Sequence, residues 1–230
     1  MPATSKPVKY SPLYHRLASM GANFSEVSGW LVASRFVDAR QEAQSAQSAI
    51  GLCDLSSADL WEAQGADLEQ LLVTVLGGRV PDSGQSMLCA DGYVCRLSQK
   101  QALFVFDSEG RSVLSKLNDA AGSSGCLHWV DRTSGFGRLL LCGPQARSVL
   151  RKVTPFDVRE SAFPGLHCAW TPMAGVRVLL VRRDRRDLPA YEILVSREYA
   201  EYLWDAVMEA GREYQMRPCG FESVRLLGAL

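Results

Sequence analysis

The residue whose type and setting point most directly to chemistry is Glu192, an acid inside the apolar run AYEILV. Strand alternation puts Glu192 on one face with Leu194 and turns Tyr191 to the other face with Ile193 and Val195. A carboxylate aligned with apolar neighbours requires a partner or a solvent edge. Two readings follow. Glu192 is a strand-edge acid paired with one of Arg182, Arg183, Arg185 or Arg186, or it is a bidentate acceptor for a ligand that offers parallel N–H donors. Those four arginines, interrupted by Asp184 and Asp187, are the densest charge cluster in the chain. They could hold the carboxylates of a ligand tail or an acidic partner subunit. The pattern favours a solvated loop with internal ion pairs.

Elsewhere the chemical signals are sparse. Asp91-Gly92 reads as a turn dipeptide, with Asp91 as a candidate acid beside it. His15, His128 and His167 are far apart and lack metal-ligand spacing, and Cys168 beside His167 is not a nucleophile pair, because adjacent strand residues diverge. No phosphate loop and no G-x-G-x-x-G run occurs. The seven cysteines form no C-x-x-C pair and their number is odd, so they read as reduced, mostly buried thiols. The five tryptophans read as core or interface residues, with an aromatic floor for a ligand as a second role.

These residues must be held by a mixture of helices and strands. DARQEAQSAQSAI, residues 38–50, predicts a helix with a small-residue face, stopped by Gly51. CDLSSADLWEAQG predicts a strand that ends at Gly65, and residues 66–76 a second helix closed by Gly77 and Gly78. Residues 93–97 and 102–106 read as a β-hairpin, followed by a helix over 111–121 and a Gly/Ser-rich break at 122–125. The second half repeats this order: strand 137–142, a helix opening at Gly143-Pro144, strands 177–181 and 191–195, and helix 197–210. The fold class is therefore α+β, with two similar halves (10–121 and 126–230) of mixed or antiparallel sheet with packed helices, behind a disordered tail over 1–9.

Composition narrows the function classes. The chain has 230 residues, 47% hydrophobic and 22% charged, enough for a packed core. Lys+Arg and Asp+Glu are both 25, so no net field draws the chain to nucleic acid or an anionic membrane. A small ligand or a protein partner fits better. With neither a membrane-length apolar run nor a secretory h-region in MPATSKPVKYSPLY, the expected location is the cytoplasm.

Five stretches, in order, resemble the aminomethyltransferase (glycine-cleavage T-protein) family: SPLYHRLASMGA with Gly29-Trp30, AIGLCDLSS, LLLCGPQARSVLRKVTPFD, AYEILVSREYAEYLWDAVMEAG and RPCGFESVRL. The resemblance runs from Ser11 to the C-terminus, short of the family's barrel-like C-terminal domain. It implies a folate-binding fold, tetrahydrofolate as the cofactor, and transfer of a methylene or methyl unit from a small amine or methyl donor. It also implies that Glu192 contacts the pterin, with Tyr191 and Arg225 as further ligand contacts. The family's catalytic acid, which steadies the charge developing on the one-carbon unit, is the first of two aspartates. Here Ala90 falls at that position and Asp91 at the second, leaving Asp91 as the remaining candidate. The loop RRDRRDLPAYE also departs from the family's glycine-rich run. TSGFGRLLLCGPQAR with AFPGLHCAW is similar to the gamma subunit of heterotetrameric sarcosine oxidase, which implies the alternative of a non-catalytic structural subunit with a protein partner.

Overall fold

Strand alternation in this chain generates two large sheets packed face to face. The computed structural model describes residues 9–89, 92–106, 117, 119, 126–185 and 187–228. Ala90, Asp91, Arg186, residues 1–8 of the expected tail, the 122–125 break and nearly all of the expected 111–121 helix lie outside that set. Lys9 begins the first strand.

A small sheet opens the fold. β1 (Lys9–Tyr10) pairs in parallel with β3 (Trp30–Arg35), which pairs with β2 (Asn23–Val27). Helix α1 (Tyr14–Ser19) lies between β1 and β2 in sequence. Helix α2 (Ala39–Ser48) follows. Asp38 caps its N-terminus by accepting from the N–H groups of Arg40 and Gln41, at 3.0 and 3.2 Å. Gly51 does not stop this helix; it opens β4 (Gly51–Asp54). A Cβ there would lie 2.5 Å from Cys219 Sγ and 3.0 Å from Ala46 Cβ of α2, so the neighbouring chain segments approach too closely for a side chain.

The strand expected from Cys53 to Gly65 is two strands, β4 and β5 (Asp59–Gly65), in different sheets. The break has a local cause: the Asp54 carboxylate accepts from the Ser56 N–H at 3.0 Å, folding the chain into a turn that alternation does not reveal. Helix α3 (Leu68–Leu76) ends at Gly77, in the left-handed conformation. Then come β6 (Ser86–Cys89), the expected hairpin β7 (Gly92–Ser98) and β8 (Gln101–Phe106), and β9 (Leu127–Asp131). In the five-stranded sheet the order is β6-β7-β8-β5-β9.

The remaining elements are β10 (Phe136–Cys142), α4 (Ala146–Val153), β11 (Cys168–Met173), β12 (Val176–Arg182), β13 (Ala190–Ser196), α5 (Ala200–Gly211), β14 (Arg217–Cys219) and α6 (Phe221–Leu226). The six-stranded sheet runs β11-β12-β13-β10-β4-β14, antiparallel apart from the β4–β14 pair. The α+β class holds, with mixed and antiparallel sheets. The two parts of the chain also trade strands: β4 enters the second part's sheet, and β9 enters the first part's.

Each strand face has its own core. Leu139, Leu141, Val178, Leu180, Tyr191, Ile193 and Val195 pack under α4 and α5. Ala63, Val94, Ala102, Phe104 and Phe106 pack under α3. Between the sheets lie Leu60, Tyr93, Cys95, Leu103, Val105, Cys168, Leu179, Val181 and Leu194. Glu192 projects into this inter-sheet layer.

Candidate functional site

Glu192 lies on β13, which is flanked by β12 and β10, so it is central in the sheet and not at an edge. Its register partners are Leu140 and Val181, and its side chain has no exposed surface. A carboxylate there must be met by the protein itself. Oε2 accepts from Tyr93 Oη on the facing sheet at 2.6 Å and from Arg138 Nε at 2.7 Å, with Arg138 Nη2 at 2.6 Å. Oε1 accepts from Arg183 Nε at 3.0 Å and Arg185 Nη2 at 2.9 Å.

Local structure fixes each partner. Arg138 is the cation of a strand otherwise made of Phe, Gly, Leu and Cys, one strand over from Glu192. The turn after β4 anchors its backbone: its N–H donates to Ser56 Oγ at 3.0 Å and its carbonyl accepts from the Leu55 N–H at 2.8 Å. Arg183 and Arg185 sit in the loop from β12 to β13. Its backbone closes through Arg183 N–H to Ala190 O at 3.0 Å and Arg185 N–H to Leu188 O at 2.9 Å, while Asp184 accepts from the Ala190 N–H at 3.1 Å. Arg183 also lies over the Tyr93 ring, 4.5 Å from its centroid. The three arginines have further partners beyond Glu192.

Three arginines of this cluster are therefore not solvated: Arg182, Arg183 and Arg185 are 4%, 5% and 8% exposed. Arg182 is held apart from Glu192 by Glu160 and Asp184, each at 2.7 Å, and by the Phe163 carbonyl at 2.9 Å. A buried acid on the neighbouring strand draws Arg183 and Arg185 inward, a long-range pairing that charge density along the chain does not reveal.

Burial alone would raise the carboxyl of Glu192, but Arg138, then Arg183 and Arg185, and the Tyr93 hydroxyl hold it well below the ordinary glutamate value. Burial first, and then the Glu192 charge, push the Tyr93 hydroxyl well up. At neutral pH the acid stays ionised and the phenol stays protonated. Neither is poised to exchange a proton with a substrate.

The other expected contacts separate. Tyr191 is fully buried on the opposite face, in the core under α4 and α5, so its side chain and that of Glu192 cannot touch one ligand. Arg225 is exposed on α6, which packs on α2 and β3. Asp91 and Ala90 lie outside the described residues. Arg138 and Tyr93 were not singled out by sequence. The readable signal was a lone arginine within GRLLLC, which in an apolar strand calls for a buried acid.

A pterin would need both Glu192 oxygens for its paired N–H donors. Guanidinium N–H groups and the Tyr93 hydroxyl occupy both, so the cluster as it stands does not fit that ring. Burial pushes the thiols of Cys53, Cys95 and Cys219 well up and that of Cys142 to about 12, which keeps these four protonated at neutral pH. Among the described residues no group of three His, Cys, Asp or Glu side chains is placed to hold a metal ion, and no helix is long and apolar enough to cross a membrane.

Comparison with known proteins gives this arrangement a context. An aminomethyltransferase of Streptomyces avermitilis is 29% identical over 219 residues, covering 88% of this chain and 57% of its own. Sarcosine oxidase subunit alpha of Rhizobium meliloti is 26% identical, covering 96% of this chain and 25% of its own. The chain thus spans little more than half of the first relative and a quarter of the second. The crystal structure of the glycine cleavage system aminomethyltransferase T from Bartonella henselae superposes with a TM-score of 0.79 at 18% identity, over 94% of this chain and 60% of that one. A chain of the heterotetrameric sarcosine oxidase from Corynebacterium sp. U-96 superposes with a TM-score of 0.67 at 21% identity, over 89% of this chain and 95% of that one. The family model for the GCVT N-terminal domain matches residues 13–229, nearly the whole chain, and the protein belongs to that family.

Proposed function

We propose that the chain is a non-catalytic subunit of the GCVT fold, a structural component of a sarcosine-oxidase-like complex. One observation carries this reading: both oxygens of Glu192, the acid that would face a pterin, are taken by Arg138, Arg183, Arg185 and Tyr93. The ion cluster fastens one sheet to the other across the place a ligand ring would enter. It gives rigidity, and no proton carrier at neutral pH. The likeness to a chain of the heterotetrameric oxidase, over 95% of that chain, supports the same reading and a protein partner.

One observation favours a second reading, in which the protein binds tetrahydrofolate and moves a one-carbon unit from a small amine or methyl donor: the acid at the pterin position is retained and kept as an anion. Calorimetric titration with tetrahydrofolate separates the two. The first reading expects no saturable heat from the wild-type chain and a stable complex with a flavin-bearing subunit of the native host. Saturable binding that Glu192→Gln weakens would establish the second and sink the first.

A further inference from the structure

The layer between the two sheets has a second end. Along β13, Ser196 lies four residues from Glu192, roughly 13 Å at strand rise, and it borders a groove of about 380 Å³. Three apolar side chains of the inter-sheet layer remain only partly buried, Leu97, Phe136 and Trp170, and all three line this groove. The layer is sealed by ions at one end and opens at the other beside two aromatic rings, with the Arg132 guanidinium 5.8 Å from the centroid of Phe136 and the Arg177 guanidinium over Trp170.

Charge in the groove is unevenly satisfied. Glu62 takes Arg132 at 3.1 Å on one oxygen and Gln101 at 2.7 Å on the other. The guanidinium of Arg177 lies over the Trp170 ring, 4.6 Å from its centroid, and among the described residues it meets no carboxylate. Two lining arginines against one lining glutamate leave one positive charge. A guanidinium over an indole face can still offer its N–H edge to a carboxylate through two parallel hydrogen bonds.

We infer that this groove is a binding site for a small planar carboxylate. The carboxylate pairs with the edge of Arg177, and the ring lies over Leu97, Phe136 and the exposed part of Trp170. The volume is near the lower end of the ~300–1,000 Å³ usual for small-molecule sites, which favours a single ring. The positive balance selects an acid over an amine. The inference rests on the groove alone and holds under either functional reading.

The test uses the full chain labelled with ¹⁵N and follows the indole N–H signal of Trp170, identified by its loss in Trp170→Phe. Benzoate, titrated into the millimolar range, should shift that signal saturably, and benzylamine should not. Arg177→Gln, an exposed change that leaves the other indole signals in place, should weaken benzoate roughly tenfold, the scale of one charged hydrogen-bond pair. No saturation with benzoate, an equal response to benzylamine, or unchanged affinity in Arg177→Gln would each overturn the assignment.

Discussion

Replacing Glu192 with glutamine tests whether the buried cluster holds the two sheets together. The substitution keeps shape and volume but removes the charge, and it turns one acceptor into an N–H₂ donor that faces guanidinium donors. Arg138 contacts one oxygen at 2.7 and 2.6 Å, and Arg183 and Arg185 contact the other at 3.0 and 2.9 Å, all in a place with no solvent. Breaking one side of a buried ion pair costs about 3–5 kcal/mol. For a chain of this size that is a fall in Tm of about 6–20 °C. Thermal unfolding followed by circular dichroism, with urea titration alongside, reads it directly. Tyr93→Phe is the milder companion: it removes one hydrogen bond to a charged acceptor and should cost about 1.5–3 kcal/mol. The pH dependence has a definite sign. The folded-state value of Glu192 is depressed, so its stabilisation is complete above the unfolded-state value near ~4.3 and is lost as pH falls through the folded value. The gap between wild type and Glu192→Gln should therefore be flat above about pH 5 and narrow below. A loss under about 0.5 kcal/mol, the range of ordinary surface changes, would refute the reasoning.

Other substitutions probe the supports of the site. Gly143 has φ +136°, and a Cβ there would lie 2.6 Å from the Ala46 and Ala49 carbonyl oxygens, so Gly143→Ala should cost at least about 2 kcal/mol in urea unfolding. Glu42 accepts from the Phe36 and Val37 N–H groups at 2.6 and 3.0 Å and from the Gly220 N–H at 2.7 Å. Glu42→Gln sets a donor against these donors and should lower the urea midpoint by the equivalent of about 1–3 kcal/mol. Burial raises Asp54, against the lowering effect of its bonds from Ser11 and Ser56. A raised carboxyl stabilises the fold at low pH and loses that contribution as pH rises through the folded value. Asp54→Asn should accordingly gain on the wild type in Tm as pH rises above the unfolded-state value near ~3.9, and a gap that widens the other way would contradict the sign.

The sequence by itself determined the type of the elements with a clear pattern, because periodicity is local. Asp38 before a run of alanines and glutamines, the 93–106 hairpin and the alternation of AYEILV each encode their structure within a few residues. It also determined that Glu192 shares a face with Leu194 and that Tyr191 faces away. Only the tertiary structure decided which charges meet. Arg138 and Glu192 are 54 positions apart, and Tyr93 and Glu192 are 99 apart. Their pairing depends on β10 lying beside β13 and on the two sheets facing one another. The strand break after Asp54, invisible to alternation, sends β4 and β5 into different sheets and sets the turn that anchors Arg138. For the same reason Arg183 and Arg185 read as solvent-exposed along the chain and are buried in the fold: a cation's environment is set by the acid it meets, and Glu192 reaches them from the neighbouring strand.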